Sequence, residues 1–313
     1  MISIVIPIYN EEELIEKLNS ELHAIMAETG ETWQVVYVND GSSDRSLELL
    51  LSLRQEHPDT VVAVDLSRNW GHQAAIIAGL STARGDAVII MDGDFQDPPA
   101  LLPQFIDSWR KGAEVVVARR KSRAEGGLRQ FLFRMFYWVL GFLSDYPIPL
   151  NAGVFGLLNR KAWNAVLTLT ETNRFLPGLR WWVGFKVSFV DFDRPNRAAG
   201  EPKQTLGRLF KYGLDAILSF SYKPLRLALA LGLIAAAVAI AAALCLVILR
   251  IFRLGIFRED IVMGYTSLMC TILFVGSIQL ICTGILGEYL GRIYDEVKRR
   301  PLFVVREVHR NAD

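Results

Sequence analysis

Two stretches of this chain run without charge for about the thickness of a bilayer. Residues 227–249 and 261–287 contain no Asp, Glu, Lys or Arg. At about 1.5 Å per residue the first covers roughly 34 Å as a helix, against about 30 Å of hydrocarbon. One charge at the centre of a span costs about 2.5–3.5 kcal/mol on insertion, so its absence separates a span from an ordinary helix. A core helix of a soluble protein is the competing reading, and the length argues against it. Two spans with a short connection form a hairpin, which puts both flanks on one side. Lys211, Lys223 and Arg226 precede the hairpin, and Arg292, Lys298, Arg299 and Arg300 follow it. The loop carries Arg250, Arg253 and Arg258, partly offset by Glu259 and Asp260. The more positive flanks are therefore expected in the cytoplasm and the loop outside. Runs of alanine in the first span, and Gly284, Gly287 and Gly291 along the second, make surfaces for close helix packing.

The remainder reads as a soluble α/β protein. Lys plus Arg number 34 against 33 Asp plus Glu, so no net field points to nucleic acid. The three cysteines, Cys245, Cys270 and Cys282, all lie in the apolar runs and act there as small hydrophobes. None is left for a disulfide elsewhere, which fits a reducing compartment. Met1 leads directly into Ile2-Ser3-Ile4-Val5-Ile6-Pro7 without a basic n-region or cleavage site. The soluble part is expected in the cytoplasm.

Apolar, β-branched runs at 2–8, 35–38, 61–66, 87–91 and 115–118 alternate with helical spacing at 12–29 and 46–57. That order implies a largely parallel sheet covered on both faces, with ligands beyond the carboxyl ends of the strands. Four successive strand ends are polar. They are Pro7-Ile8-Tyr9-Asn10-Glu11-Glu12, Asn39-Asp40-Gly41-Ser42-Ser43-Asp44, Ser67-Arg68-Asn69-Trp70-Gly71-His72 and Asp92-Gly93-Asp94-Phe95-Gln96-Asp97-Pro98-Pro99. Each could be turn chemistry by itself; four on one rim indicate a site. No G-x-G-x-x-G or G-x-x-x-x-G-K-[ST] follows the first strand, which disfavours a nicotinamide or P-loop enzyme. Two carboxylates separated by one residue can hold Mg²⁺ or Mn²⁺ against a diphosphate. Asp92 and Asp94 stand in that pattern after an apolar strand.

These motifs, with Leu286-Gly287-Glu288-Tyr289-Leu290-Gly291-Arg292-Ile293-Tyr294 near the end of the chain, resemble the family 2 glycosyltransferases that act on polyprenyl phosphates. The likeness is to bactoprenol glucosyltransferases and aminoarabinose transferases, with dolichyl-phosphate mannose synthases further off. It implies a GT-A fold, a Rossmann-like α/β domain with a mostly parallel sheet, followed by a two-helix transmembrane hairpin. It also implies an inverting transfer from a nucleotide-sugar, with UDP favoured, to undecaprenyl phosphate. Pro7, Tyr9, Asn10, Glu11, Asp40, Ser67, Arg68, Asp92 and Gln96 would bind the donor. Asp94, Asp92 and Gln96 would serve the Mg²⁺ or Mn²⁺, and Asp92, Asp94 and Lys203 the catalysis. A homo-oligomer in a bacterial inner membrane, with both termini cytoplasmic, follows from the same likeness.

On the acceptor side, Arg119 and Arg120 end the fifth strand, and Arg129 and Arg134 sit among aromatics in an expected interfacial helix at about 126–143. These four would meet the lipid phosphate. Relatives often carry Asp where this chain has Val154, and many carry Arg at Gly156. A phosphate monoester, with a second pKa near about 6, is already anionic and needs less help from a general base. An active enzyme is therefore expected. His23, His57, His72 and His309 have no metal spacing and read as structural or solvated.

The expected organisation is a catalytic domain at 1–205, a juxtamembrane helix at 206–226, spans at 227–249 and 261–287 around an external loop at 250–260, and a cytoplasmic tail at 288–313. Two other functions share the fold: a processive polysaccharide synthase and a silent nucleotide-sugar-binding subunit. The first usually carries Gln-x-x-Arg-Trp, and Pro177-Gly178-Leu179-Arg180-Trp181 lacks the Gln. The second draws on Val154 and Gly156.

Overall fold

A computed structural model of the chain describes residues 1–120, 152–172, 174–193, 221–251 and 263–311. The expected interfacial helix, most of the juxtamembrane helix, most of the external loop, Arg129, Arg134 and Lys203 lie outside these residues.

The N-terminal part alternates strand and helix. In chain order it comprises β1 (Ile2–Ile8), α1 (Ile15–Thr29), β2 (Trp33–Asn39), α2 (Ser46–Glu56), β3 (Val61–Leu66), α3 (His72–Thr82) and β4 (Ala87–Ile90). A 3₁₀ turn at Pro99–Leu101 leads into α4 (Leu102–Arg110), followed by β5 (Val115–Arg120), β6 (Ala152–Asn159), α5 (Arg160–Thr168), α6 (Leu176–Trp182) and β7 (Val187–Phe192). Every residue of β1 is buried, as a strand covered on both faces requires. Its side chains alternate between two cores. Ile2, Ile4, Ile6 and Ile8 pack with the α1 and α4 side chains Leu18, Leu22 and Phe105, while Val5 joins Ile76, Leu80 and Trp163 of α3 and α5.

One eight-stranded sheet results, in the order β7-β5-β6-β4-β1-β2-β3-β8. β4, β1, β2 and β3 are mutually parallel, and β5 and β7 pair in parallel. β6 runs antiparallel between β4 and β5, with Gly156 opposite Ile90 and Leu157 opposite Ile89. This inserted strand carries residues 152–155 beyond Ile90, the last residue of β4 that it pairs.

Two long helices follow, α7 (Lys223–Ile251) and α8 (Met263–Lys298). Both are long and apolar enough to cross a membrane, over Lys223–Ala241 and Leu268–Lys298. Their leucine, isoleucine and phenylalanine side chains stand exposed, which in water would be an extensive apolar surface. Tyr289 Oη donates to Ser221 O at 2.6 Å, tying α8 to the start of α7. With 36 residues, α8 is about 54 Å long. It continues well past the expected span and meets the α/β part of the chain, where the Glu296 carboxylate accepts from Thr172 N at 2.9 Å and from Thr172 Oγ1.

The end of the chain also differs from a free tail. β8 (Val305–His309) adds antiparallel to β3 and forms one edge of the sheet. A five-residue strand carrying Arg306, Glu307 and His309 has little apolar pattern by which to be read. Short, charged edge strands are how sheets avoid pairing with other chains.

Candidate active site

Parallel strands deliver their following loops to one rim, and here four such loops meet. Pro7, Ile8, Tyr9 and Glu11 come from β1, Asp40 from β2, Asn69, Gly71 and His72 from β3, and Asp92, Gly93 and Asp94 from β4. Together they line a cleft of about 270 Å³.

The loops are tied to each other by short polar side chains. Asn10 Oδ1 accepts from Ser43 N at 2.8 Å, and Asn10 N donates to Ser42 Oγ at 3.1 Å. Glu11 N donates to Ser46 Oγ at 3.1 Å. Asn10 itself sits at φ +54°, a left-handed turn that asparagine tolerates. Asp40 is buried, and its two carboxylate oxygens accept from Trp70 N at 2.7 Å and Gly71 N at 3.0 Å. Burial pushes the Asp40 carboxyl up, against these two amides and the neighbouring His72. Gly41, at φ +66°, lies directly beneath the β3 loop. A Cβ there would come within 2.5 Å of Arg68 C and Asn69 N.

The Asp92-Gly93-Asp94 turn is held from within. Asp92 N donates to Oδ2 of the buried Asp97 at 3.1 Å, and Gln96 N donates to Asp94 Oδ1 at 3.1 Å. Phe95 adopts φ +60°, uncommon for an aromatic residue, and its ring packs on the α1 side of the core. The β1 end passes so close that a Cβ on Gly93 would lie 2.8 Å from Ile8 Cδ1.

His72 completes the cleft. Its Nε2 lies 2.8 Å from Asp92 Oδ1. Burial pulls the imidazole down, but the hydrogen bond and charge of Asp92, with Asp97 and Asp40 beyond, outweigh it and raise the pKa above the ordinary value. Its reading as structural or solvated is thus corrected: the residue faces the acidic turn. The contact spans 20 residues and two strands, so spacing could not reveal it. Only its place on a shared rim was a signal.

Of the expected donor residues, Pro7, Tyr9, Glu11, Asp40, Asp92 and Asp94 line the cleft, and Asn10 braces it. Ser67, Arg68 and Gln96 stand outside the lining. Ser67 Oγ accepts from Trp70 Nε1 at 3.1 Å, and the Arg68 guanidinium stacks 3.9 Å from the Trp70 ring. Arg119 makes a two-armed ion pair with Asp191, at 2.6 and 3.0 Å, so its charge already has a partner there. Arg120 lies near Gly153.

Position 156 admits no side chain. A Cβ there would sit 2.3 Å from Val116 O and 3.1 Å from Arg180 Nη1. The Arg180 guanidinium instead comes from α6, is buried, and donates to Val154 O at 3.2 Å and Gly153 O at 2.8 Å. Burial lowers its pKa to about 10. Val154 packs with the Trp70 side of the core.

Two carboxylates on one turn, with oxygen atoms only, suit Mg²⁺ or Mn²⁺ that takes its remaining ligands from phosphate and water. Among the described residues no group of three or more potential metal-binding side chains occurs.

Residues 3–167 match the model of glycosyl transferase family 2, and residues 223–293 match the GtrB C-terminal hairpin. The chain belongs to glycosyl transferase family 2. An uncharacterized glycosyltransferase of Synechocystis sp. is 44% identical over 98% of this chain and 95% of its own length. The bactoprenol glucosyl transferase of Shigella phage SfII is 36% identical, over 99% and 98%. A prophage bactoprenol glucosyl transferase homolog of Escherichia coli is 36% identical, over 98% and 99%. This glycosyltransferase therefore has the GT-A fold with a C-terminal pair of apolar helices associated with a membrane.

Proposed function

We propose that the protein transfers one sugar from a nucleotide-sugar, with UDP as the favoured carrier, to undecaprenyl or a similar polyprenyl phosphate. The observation that carries this reading is the convergence of Asp92, Asp94, Asp40 and Tyr9 on one cleft in a chain that matches bactoprenol glucosyl transferases end to end.

In this reading Asp40 and the Tyr9 ring hold the nucleoside, with Asp40 locked in place by the amides of Trp70 and Gly71. Asp94 and Asp92 would hold the divalent ion, Mg²⁺ or Mn²⁺. When bound, that ion neutralises charge on the diphosphate as it leaves. His72, its pKa raised by the neighbouring Asp92, adds a further hydrogen-bonding group on the same side of the cleft. An oxygen of the acceptor phosphate forms a bond to the anomeric carbon as the bond from that carbon to the diphosphate breaks. The electron pair goes to the nucleoside diphosphate, and the configuration inverts. Val154 supplies no base, and an anionic phosphate nucleophile needs none.

The acceptor is a lipid, so the cleft has to stand at a membrane surface. The helices α7 and α8 provide the anchor, with the catalytic domain and both termini on the cytoplasmic side of a bacterial inner membrane. Arg120, with Arg129 and Arg134, is placed by sequence to meet the lipid phosphate, and Lys203 to approach the reacting groups. Close packing of the small-residue helix faces would make a homo-oligomer.

The test is a reconstituted transfer. Purified protein is given undecaprenyl phosphate, Mg²⁺ or Mn²⁺, and a panel of UDP- and GDP-sugars. A glycolipid bearing a single sugar is expected. Polymer formation would instead mean a processive synthase, and donor binding without turnover for any sugar would mean a silent binding subunit.

A further inference from the structure

β8 lies beyond both apolar helices in sequence, yet it borders β3, whose end carries one of the donor loops. Ser67 N donates to Val304 O at 2.9 Å, so the pairing reaches the start of that loop. Arg306 then makes two contacts. Its Nη1 donates to Asp65 Oδ2 at 2.9 Å, and its Nη2 donates to Ser67 O at 3.0 Å. The Asp65 side chain is only 4% exposed, and its other oxygen accepts from Asn39 Nδ2 at 2.7 Å. Asn39 Oδ1 accepts in turn from Ser42 N at 3.1 Å.

A continuous polar relay thus runs from Arg306 through Asp65 and Asn39 to Ser42, within the loop that presents Asp40. The second arm of Arg306 grips the β3 loop that closes over Gly41. The two donor loops are therefore tied twice. Asp40 joins them at the cleft through Trp70 and Gly71, and Arg306 joins them on the opposite side.

We infer that Arg306 is a positioning residue for the donor site, acting through Asp65 and Asn39. The inference rests on the donor reading given above. Removal of Arg306 leaves a buried carboxylate with a single amide partner, a state that favours water entry or rotation of Asn39. Rotation takes the acceptor away from Ser42 N, and the Asp40 loop loses its anchor. Asp92 and Asp94 take no part in the relay, so turnover with saturating donor is preserved. The fork matters as well as the charge. A lysine can reach one of the two acceptors but cannot span both in one plane.

The test uses the full-length protein in detergent, with UDP and GDP titrated in Mg²⁺ and with donor KM and kcat measured in the transfer assay. Wild type is compared with R306M, R306K and, as a control on the same exposed strand, E307Q. R306M is expected to weaken nucleotide binding and raise donor KM by about five- to thirty-fold. R306K should fall between it and wild type, and E307Q should match wild type, with kcat unchanged throughout. Amide exchange without ligand should quicken at 40–44 and 67–71 in R306M and stay unchanged in β1. An R306M protein that binds as wild type does overturns the inference. So does one whose loss merely follows its unfolded fraction in a thermal melt, with kcat and binding capacity falling together at constant KM. If wild type binds neither UDP nor GDP, the donor reading itself falls and takes this inference with it.

Discussion

His72 Nε2 stands 2.8 Å from Asp92 Oδ1, joining the start of α3 to the acidic turn after β4. The contact puts an imidazole with a raised pKa among the carboxylates of the candidate cleft. Its side chain remains 44% exposed, open to a ligand as well as to Asp92.

If that imidazole meets the diphosphate in its protonated form, charge at position 72 should matter more than the imidazole shape. His72→Ala is expected to raise donor KM about tenfold, the scale of one charge-assisted hydrogen bond. His72→Lys should restore most of the affinity. Steady-state kinetics at fixed Mg²⁺ check this, and equal KM values for the Ala and Lys variants would refute it.

Asp94 carries the larger expectation. Asp94→Ala should lower kcat by about 10²–10³-fold, the range found when one group that stabilises developing charge is removed. Chelation of divalent ions from wild type should abolish transfer, and added Mn²⁺ or Mg²⁺ should bring it back. Full metal-dependent activity in Asp94→Ala would contradict the assignment.

Gly41 tests the packing of the donor loops. Its φ of +66° and the 2.5 Å approach of the Arg68–Asn69 backbone leave no room for a methyl group. Gly41→Ala should destabilise the domain by about 1–3 kcal/mol and weaken UDP binding as the β3 loop is displaced. A melting curve and a UDP titration measure the two effects. Gly30, with φ +67° and nothing within 4 Å of its Cβ position, provides the comparison: Gly30→Ala strains the backbone without touching the site.

His23 gives the domain a pH-dependent stability far from the cleft. Its ring lies tilted 4.3 Å from that of His57 and edge-on 4.8 Å from that of Trp33, in a hollow also lined by Glu16, Asn19 and Glu56. Its Nε2 has no hydrogen-bond partner among the described residues. Burial, then the charge of His57, lowers its pKa below the ordinary 6.5. The unfolded chain therefore takes up this proton first, and the contribution to stability is full above 6.5 and lost as pH falls below it. Melting temperature should decline from pH 7 to pH 5, and His23→Gln should flatten that decline. An identical slope in the variant would exclude His23 as the cause.

Much of this architecture is legible because its cause is local. β1 is buried on both faces, so all its residues but Ser3 are apolar; the same necessity makes β2, β3 and β4 mostly apolar. Ligand sites in such sheets lie where parallel strands end, so Asp40, Asp92 and Asp94 stand out at the turns. A lipid span excludes charge, and the two uncharged runs follow. Other features have causes elsewhere in the chain. β8 is held by an edge that β3 offers at a separation of 241 positions, from Asp65 to Arg306. Arg180 reads as a surface or motif arginine, and only the missing side chain of Gly156 makes the space it fills.

By itself the sequence determined the alternation of strand and helix, the two apolar helices and the acidic turn after the fourth strand, since each is written in residues close together and enforced by burial or by the absence of water. Tertiary structure alone decided that His72 meets Asp92, that Arg180 occupies the space beside Gly156, and that Arg306 reaches Asn39 through Asp65. Those are pairings between distant segments, selected by register and loop closure. No local pattern of hydropathy or turn residues encodes which partner a polar side chain will find across a sheet.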